Sequence, residues 1–234
     1  MDNGIVFERI EKKYLMTKKQ YTEFVKRMAP YMRLDEYGRK TVSSVYYDTD
    51  DFLLIARSIE KPVYKEKLRI RSYGTPGPDD PVYIELKKKY RGIVYKRRKE
   101  MPLREARAYL AGEYRPEEDQ ILREIDYFLD YYRPKPKILI MYERSAYYSR
   151  MGPKIRLTID ENIRARYDDL HLGKSTEGEM LFDTERYLME LKIEGAVPLW
   201  LSKAMTELGI RPESFSKYGR LYQKKMKEER EKHV

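Results

Sequence analysis

Lys65, Lys67, Arg69 and Arg71 recur at every second position, with Leu68 and Ile70 between the last three. A strand repeats its side-chain direction every two residues, so this segment presents one cationic face and one apolar face. Like charges gathered on one face repel by about 1 kcal/mol per pair at ~4 Å in water, and by several times that near a protein interior. The stripe therefore reads as an anion-binding strand, against the plainer reading of a solvated outer face of an antiparallel sheet.

Composition points to the same chemistry. The 234 residues suffice to bury a core as one domain or two small ones. Lys and Arg number 49 against 39 Asp and Glu, a formal charge of +10, which calls for an anionic partner: nucleotide, polyphosphate, nucleic acid or acidic lipid. The absence of cysteine excludes disulfides, thiolate metal sites and thiol nucleophiles. His171 and His233 are too far apart in sequence for a zinc site or a histidine-based triad. Gly173-Lys174-Ser175 resembles the end of a P-loop, but Asp168 stands where that motif needs its first glycine, and the segment reads as a loop. No run approaches the ~18 apolar residues of a membrane span, and Met1–Ile10 lacks a signal-peptide apolar stretch. A soluble cytoplasmic protein is expected, with a partner in or at the membrane admitted.

Alternation from Phe7 to Met16 predicts a first strand, with Arg9, Glu11 and Lys13 on one face. Thr17 and Gln20 form a capping box ahead of the apolar stripe Tyr21, Phe24, Val25 and Met28, so a helix follows and ends or kinks near Pro30. Further strands are predicted at Thr41–Asp48, Val63–Tyr73, Val82–Tyr90 and Ile93–Glu100, divided by the Gly74-Thr75-Pro76-Gly77-Pro78 turn and by Arg91-Gly92. Helices are expected at Leu103–Glu113 and Glu117–Tyr132, the second closed by Pro134 and Pro136. Strands resume at Ile138–Tyr148, Lys154–Asp160 and Tyr187–Glu194, followed by helices at Pro198–Leu208 and Ser216–Glu231. About eight antiparallel strands with inserted helices predict an α+β fold, a closed or nearly closed antiparallel β-barrel with surrounding helices and a C-terminal helix at about 216–231.

The cationic stripe is repeated. Glu85 and Lys87 share a face; so do Lys96 and Arg98, Arg156, Thr158 and Asp160, and Glu190 and Lys192. Opposite them lie Val82, Ile84 and Leu86; Ile155, Leu157 and Ile159; and Tyr187, Met189, Leu191 and Ile193. If the apolar faces pack outward on helices, the charged faces line a polar tunnel, the reverse of a small barrel filled with aliphatic side chains. Such a lumen suits phosphoryl transfer. Guanidinium forks and lysines, Lys67 and Lys192 among them, would hold phosphate oxygens, and the carboxylates Glu11, Glu85 and Glu190 would hold a divalent metal.

Eight ordered motifs carry a resemblance: Phe7-Glu8-Arg9-Ile10-Glu11-Lys12-Lys13-Tyr14, Val45-Tyr46-Tyr47-Asp48, Lys67-Leu68-Arg69-Ile70-Arg71, Tyr83-Ile84-Glu85-Leu86-Lys87, Tyr142-Glu143-Arg144, Ile155-Arg156-Leu157-Thr158-Ile159-Asp160, Met189-Glu190-Leu191-Lys192 and Phe215-Ser216-Lys217-Tyr218. Across nearly its whole length the chain resembles the VTC polyphosphate-polymerase domain of the CYTH-like triphosphate tunnel metalloenzymes. The resemblance implies a single domain over 1–234, an eight-stranded antiparallel β-barrel with surrounding helices whose tunnel binds ATP, triphosphate and polyphosphate with Mn²⁺ or Mg²⁺. By motif position the phosphate-binding cations are Lys13, Arg57, Arg69, Arg71, Lys87, Lys96, Arg144, Arg156 and Lys217. Glu190 matches the metal-binding glutamate, and Tyr142 and Ser216 match polar neighbours of the phosphate chain. Ser214 stands where family polymerases can carry another lysine, which thins the charge at one tunnel mouth.

Three functions compete. The first is a metal-dependent polyphosphate polymerase that moves the terminal phosphoryl group of ATP onto polyphosphate. The second is an inorganic triphosphatase of the same fold; its Glu-x-Glu-x-Lys signature is met only in part, since Arg9 and Glu11 precede Lys13. The third is a non-catalytic polyphosphate or nucleic-acid binding module, for which the 23 tyrosines could supply stacking platforms. Most of them read more simply as packing, so nucleic acid is the less favoured partner.

Overall fold

A computed structural model describes residues 9–117, 119–151 and 154–231. Phe7 and Glu8 of the first motif, and His233, lie outside these. In chain order the elements are β1 (Arg9–Thr17), α1 (Lys18–Met28), β2 (Met32–Asp48), α2 (Leu53–Ile59), β3 (Tyr64–Tyr73), β4 (Pro81–Tyr90), β5 (Ile93–Pro102), α3 (Leu103–Leu110), α4 (Gln120–Tyr132), β6 (Lys135–Ser149), β7 (Ile155–Arg166), β8 (Glu179–Met180), β9 (Arg186–Glu194), α5 (Leu199–Glu207) and α6 (Lys217–Glu231).

Local chemistry sets several boundaries. The capping box forms as expected: Gln20 N donates to Thr17 Oγ1 at 3.3 Å and Thr17 N donates to Gln20 Oε1 at 3.0 Å. The helix stops at Met28, just ahead of Pro30. Between β4 and β5 the chain reverses in two residues, with Arg91 at φ 46° and Gly92 at φ 87°. A two-residue hairpin turn with both central φ positive matches strand twist, and glycine meets that demand without strain.

The chain divides into two compact units. In the first, Met1–Lys40, Tyr142–Ile163 and Phe182–Phe215, β1 pairs with β9 and β9 with β7, both antiparallel. Their apolar faces, including Met16, Leu157, Ile159, Met189 and Ile193, pack under Phe24 and Met28 of α1 and Leu201 and Ala204 of α5. In the second, Thr41–Met141, Arg164–Leu181 and Ser216–Val234, β2, β3, β4 and β5 pair in succession, again antiparallel. Leu68, Ile70, Val82, Ile84 and Leu86 are buried against Leu103, Ala106 and Tyr109 of α3 and Leu122, Ile125 and Phe128 of α4. In each unit the apolar strand faces are covered by helices, as the alternation requires.

The structure corrects the expected closed barrel. Hydrogen bonding orders the strands β1-β9-β7-β6-β2-β3-β4-β5, with β8 attached to β7, in a nine-stranded sheet. Among the described residues no ladder joins its two end strands, β1 and β5. On β5 the run Lys96-Arg97-Arg98-Lys99 sends its cations to carboxylates at positions 85, 119 and 124, and a strand edge dense in positive charge resists a further partner. Two elements were not anticipated, α2 and the short β8, and Pro136 lies inside β6 rather than closing α4. As the second residue of that strand it sits where the missing N–H costs little.

Candidate functional site

The ladder of the second unit stacks the cations in rungs about 6.8 Å apart, two residues per rung. Lys65 faces Lys89 across the pair; Lys67, Lys87 and Lys96 form the next rung; Tyr46, Arg69, Glu85 and Arg98 form the third; Ser44, Arg71 and Tyr83 form the fourth. Glu85 is the hub, with 1% of its side chain exposed. Arg69 donates to its Oε2 from Nε at 2.7 Å, Arg98 donates to Oε1 from Nη2 at 2.5 Å, Lys96 Nζ reaches Oε1 at 2.5 Å and Arg71 lies at 3.8 Å. Burial alone would raise the Glu85 pKa, but Arg69, Arg71 and Lys96 hold it well below the usual carboxylate range.

The same field acts on Tyr46, a half-buried residue of β2 whose hydroxyl accepts from Arg69 Nη1 at 2.7 Å. Burial opposes ionisation, yet Arg69 and Arg71 bring the phenol down to about 7. Lys67 Nζ donates to Ser216 Oγ at 3.2 Å, and that oxygen also accepts from Gly219 N at the start of α6. Tyr218, next to Lys217 on α6, donates to Asp48 Oδ2 at 2.9 Å. The Asp48 carboxylate accepts in addition from Leu54 N and Ile55 N, at 2.8 and 3.0 Å, and so starts α2. Arg57 stands exposed on that helix, beside Ser58, whose carbonyl accepts from Lys65 Nζ at 3.0 Å.

The first unit carries a different balance. One rung holds Glu11, Lys192 and Arg156, and the next holds Lys13, Glu190 and Thr158. Lys192 Nζ lies 2.8 Å from Glu190 and 3.8 Å from Glu11, and Lys13 Nζ donates to the Phe215 carbonyl at 3.0 Å. Burial raises the Glu190 pKa, but Lys192, Lys13 and Arg144 overcome it and lower it to about 2. Arg144 forks onto Asp160, Nε to Oδ1 at 2.6 Å and Nη2 to Oδ2 at 2.8 Å, and its guanidinium lies 5.1 Å from the centre of the Tyr142 ring. Thr158 Oγ1 is buried without a hydrogen-bond partner among the described residues.

The predicted residues thus assemble as two groups. Arg69, Arg71 and Lys96 converge on Glu85, with Lys67 and Lys87 one rung away; Glu190, Glu11, Lys13 and Lys192 lie on two adjoining rungs near Arg144. Glu85, expected as a metal ligand, has its oxygens taken by cations. Among the described residues no three acidic or histidine side chains gather as a metal cluster. Arg98 belongs to the Glu85 group beside Lys96, whereas Lys99 turns to the opposite face and pairs with Asp119. Tyr46 and Asp160 also belong to these groups; both sit on the same strand face as motif cations, the signal that marks them.

The fold and these faces define an α+β protein whose antiparallel strands carry cationic faces. The VTC domain model matches residues 8–225, and the chain belongs to the VTC domain family. It is 29% identical over 162 residues to the Trypanosoma cruzi vacuolar transporter chaperone complex subunit 4, covering 56% of this chain and 20% of that protein. The Schizosaccharomyces pombe subunit of the same name is 24% identical over 159 residues, covering 57% of this chain and 22% of that one. The matched stretch therefore spans about a fifth of these relatives. A Bacillus halodurans structure assigned as an adenylate cyclase superposes with a TM-score of 0.55 at 17% identity, covering 89% of this chain and 93% of that one, a likeness of fold.

Proposed function

We propose that the chain, working as one domain over 1–234, is a metal-dependent polyphosphate polymerase. The observation that carries this reading is the convergence of Arg69, Arg71, Lys96 and Arg98 on the single buried carboxylate of Glu85, with Lys67 and Lys87 beside them. A phosphate chain, with a negative charge on each unit, complements this cationic face. Family membership and the ordered motifs of the polyphosphate-polymerase domain support the same assignment.

In the reaction a terminal oxygen of polyphosphate attacks the γ-phosphorus of ATP, the bond to the β-phosphate oxygen breaks, and ADP leaves. No protein nucleophile is needed, so the side chains act by position and charge. Arg69, Arg71, Lys87, Arg144, Arg156 and Lys217 neutralise the oxygens on which charge develops, and Lys13, Arg57, Lys67, Lys96, Lys192, Tyr142 and Ser216 hold the chains in line. Mg²⁺ or Mn²⁺ fits the first unit in the mode that uses one or two carboxylates plus substrate phosphates. Glu190 stays ionised, Glu11 adjoins it across Lys192, and the orphaned Thr158 hydroxyl is a further hard oxygen. When bound, the cation would be held by Glu190 and Glu11 and would supply Lewis-acid polarisation of the phosphate oxygens.

A second reading, triphosphate hydrolysis with water as acceptor, is favoured by the carboxylates concentrated in the first unit, Glu11, Asp160 and Glu190. Incubation with ATP and Mn²⁺ separates the readings. Polyphosphate should form, and Lys87→Ala, an exposed lysine, should lower its rate by roughly 10²-fold. Phosphate release from triphosphate without polymer would assign hydrolysis, and tight polyphosphate binding without turnover under any metal would assign a binding module. No described helix is long and apolar enough to cross a membrane. Cytoplasmic placement, at a membrane surface through a partner, and association with a complex of the kind the relatives' names describe, a vacuolar transporter chaperone complex, belong to this proposal.

A further inference from the structure

The β4–β5 hairpin carries an apolar tip on an otherwise strongly polar chain, whose mean hydropathy is −0.82. Ile93 is 58% exposed, Val94 46% and the adjoining Val63 64%, and Tyr64, Tyr90 and Tyr95 are exposed around them. These residues cluster at the end of the hairpin, Tyr64, Tyr90, Ile93 and Tyr95 on one face and Val94 beside Lys89 on the other. Arg91 N donates to the Val63 carbonyl at 3.0 Å, Tyr64 pairs with Tyr90 and Tyr90 with Ile93, and the Tyr64 and Tyr90 rings meet edge-on at 6.5 Å. The two-residue turn leaves the tip short and well defined.

Charge selects what this surface meets. From Lys87 to Lys99 there are eight cations and no acid. Lys89, the register partner of Val94, and the exposed Arg91 lie at the level of the apolar tip. A second copy pairing antiparallel along β5 would set Lys96-Arg97-Arg98-Lys99 against its own charges, which is unfavourable. A phosphate chain or a nucleic acid gives the aliphatic Val63, Ile93 and Val94 nothing to bury against. An anionic lipid surface satisfies all three features: acyl chains for the aliphatic residues, the headgroup level for amphipathic tyrosines, and lipid phosphates and carboxylates for the lysines and arginine.

We infer that the β4–β5 hairpin tip is a docking surface for an anionic membrane. The inference is independent of the catalytic reading. Sedimentation of the full chain with vesicles of phosphatidylcholine, with and without phosphatidylserine, tests it. Binding should require phosphatidylserine, weaken with salt, and fall roughly fivefold on Lys89→Gln. It should fall at least tenfold in the double variant Ile93→Ser with Val94→Ser, since each side chain loses a favourable burial. Both sites of that variant are exposed, and an unchanged melting curve would show that it folds. Absence of binding to phosphatidylserine vesicles would overturn the proposal. So would binding that the double variant leaves intact and tripolyphosphate abolishes, because the lipid would then sit on the Arg69–Arg71 face. A concentration-dependent dimer that the double variant dissolves would assign the tip to a second copy.

Discussion

Replacing Glu85 by Gln keeps the shape of the hub and removes its charge, leaving Arg69, Arg71, Lys96 and Arg98 to face one another. Removing one partner of a buried ion group costs about 3–5 kcal/mol. The side chains of Lys96 and Arg98 are 44% and 38% exposed and can turn toward water, so their share is small. Arg69 and Arg71, at 22% and 8%, carry the cost, which places the expected loss near ~3 kcal/mol. At about 2–4 °C per kcal/mol for a chain of this size, the melting temperature should drop by roughly 6–12 °C. A bound polyanion supplies the missing charge, and ligand at a hundred times its Kd adds about 2.7 kcal/mol. Saturating tripolyphosphate should therefore raise the variant's melting temperature by more than it raises the wild type's, returning most of the loss. Scanning fluorimetry with and without tripolyphosphate reads both quantities. A variant that melts within a degree or two of wild type, or equal ligand shifts in the two proteins, would refute the hub.

Two further outcomes follow from the same groups. Tyr46 has a folded pKa of about 7, below the ~10 of an unfolded tyrosine, so its contribution to stability is complete above pH 10 and is lost as pH falls through 7. Ultraviolet absorbance should show one phenol ionising near neutrality, missing in Tyr46→Phe and shifted upward by tripolyphosphate; ionisation of every tyrosine near pH 10 would contradict this. Glu190→Gln should raise the Mn²⁺ concentration for half-maximal activity roughly 10–100-fold, while metal-free tripolyphosphate binding, followed by calorimetry, stays within about twofold; an unchanged metal requirement would remove Glu190 from the proposed metal site.

Much of this architecture is written in the strands' period-two patterning. Leu68 and Ile70, Ile84 and Leu86, and Leu157 and Ile159 are buried beneath helices as alternation demands, because one slip in register would expose every one of them. The capping box at Thr17 is equally local and equally legible. The helix Leu53–Ile59 is not: its first amides are satisfied by Asp48, a residue of the preceding strand, while Phe52 at its start adopts φ 59°. The first half of β2 was missed because Arg33, Asp35, Glu36, Arg39 and Lys40 give it no continuous apolar face. At the site, the cationic faces were legible but their division of labour was not. Which carboxylate is consumed by cations depends on cross-strand register, and that register sets Glu85 among the cations and Glu190 beside Glu11 and Thr158.

The pairing of β1 with β9 has a consequence for synthesis. Lys13 and Glu190 are ladder partners, so β1 leaves the ribosome well before the strand it pairs with. At about 5–20 residues per second that delay is roughly 10–35 s. Throughout it the nascent segment displays Tyr14 and Met16, both buried in the finished protein, on a strand with an unpaired edge. Within this segment β1 is thus a strand that calls for a chaperone during synthesis, and one at which a stalled product would begin to aggregate.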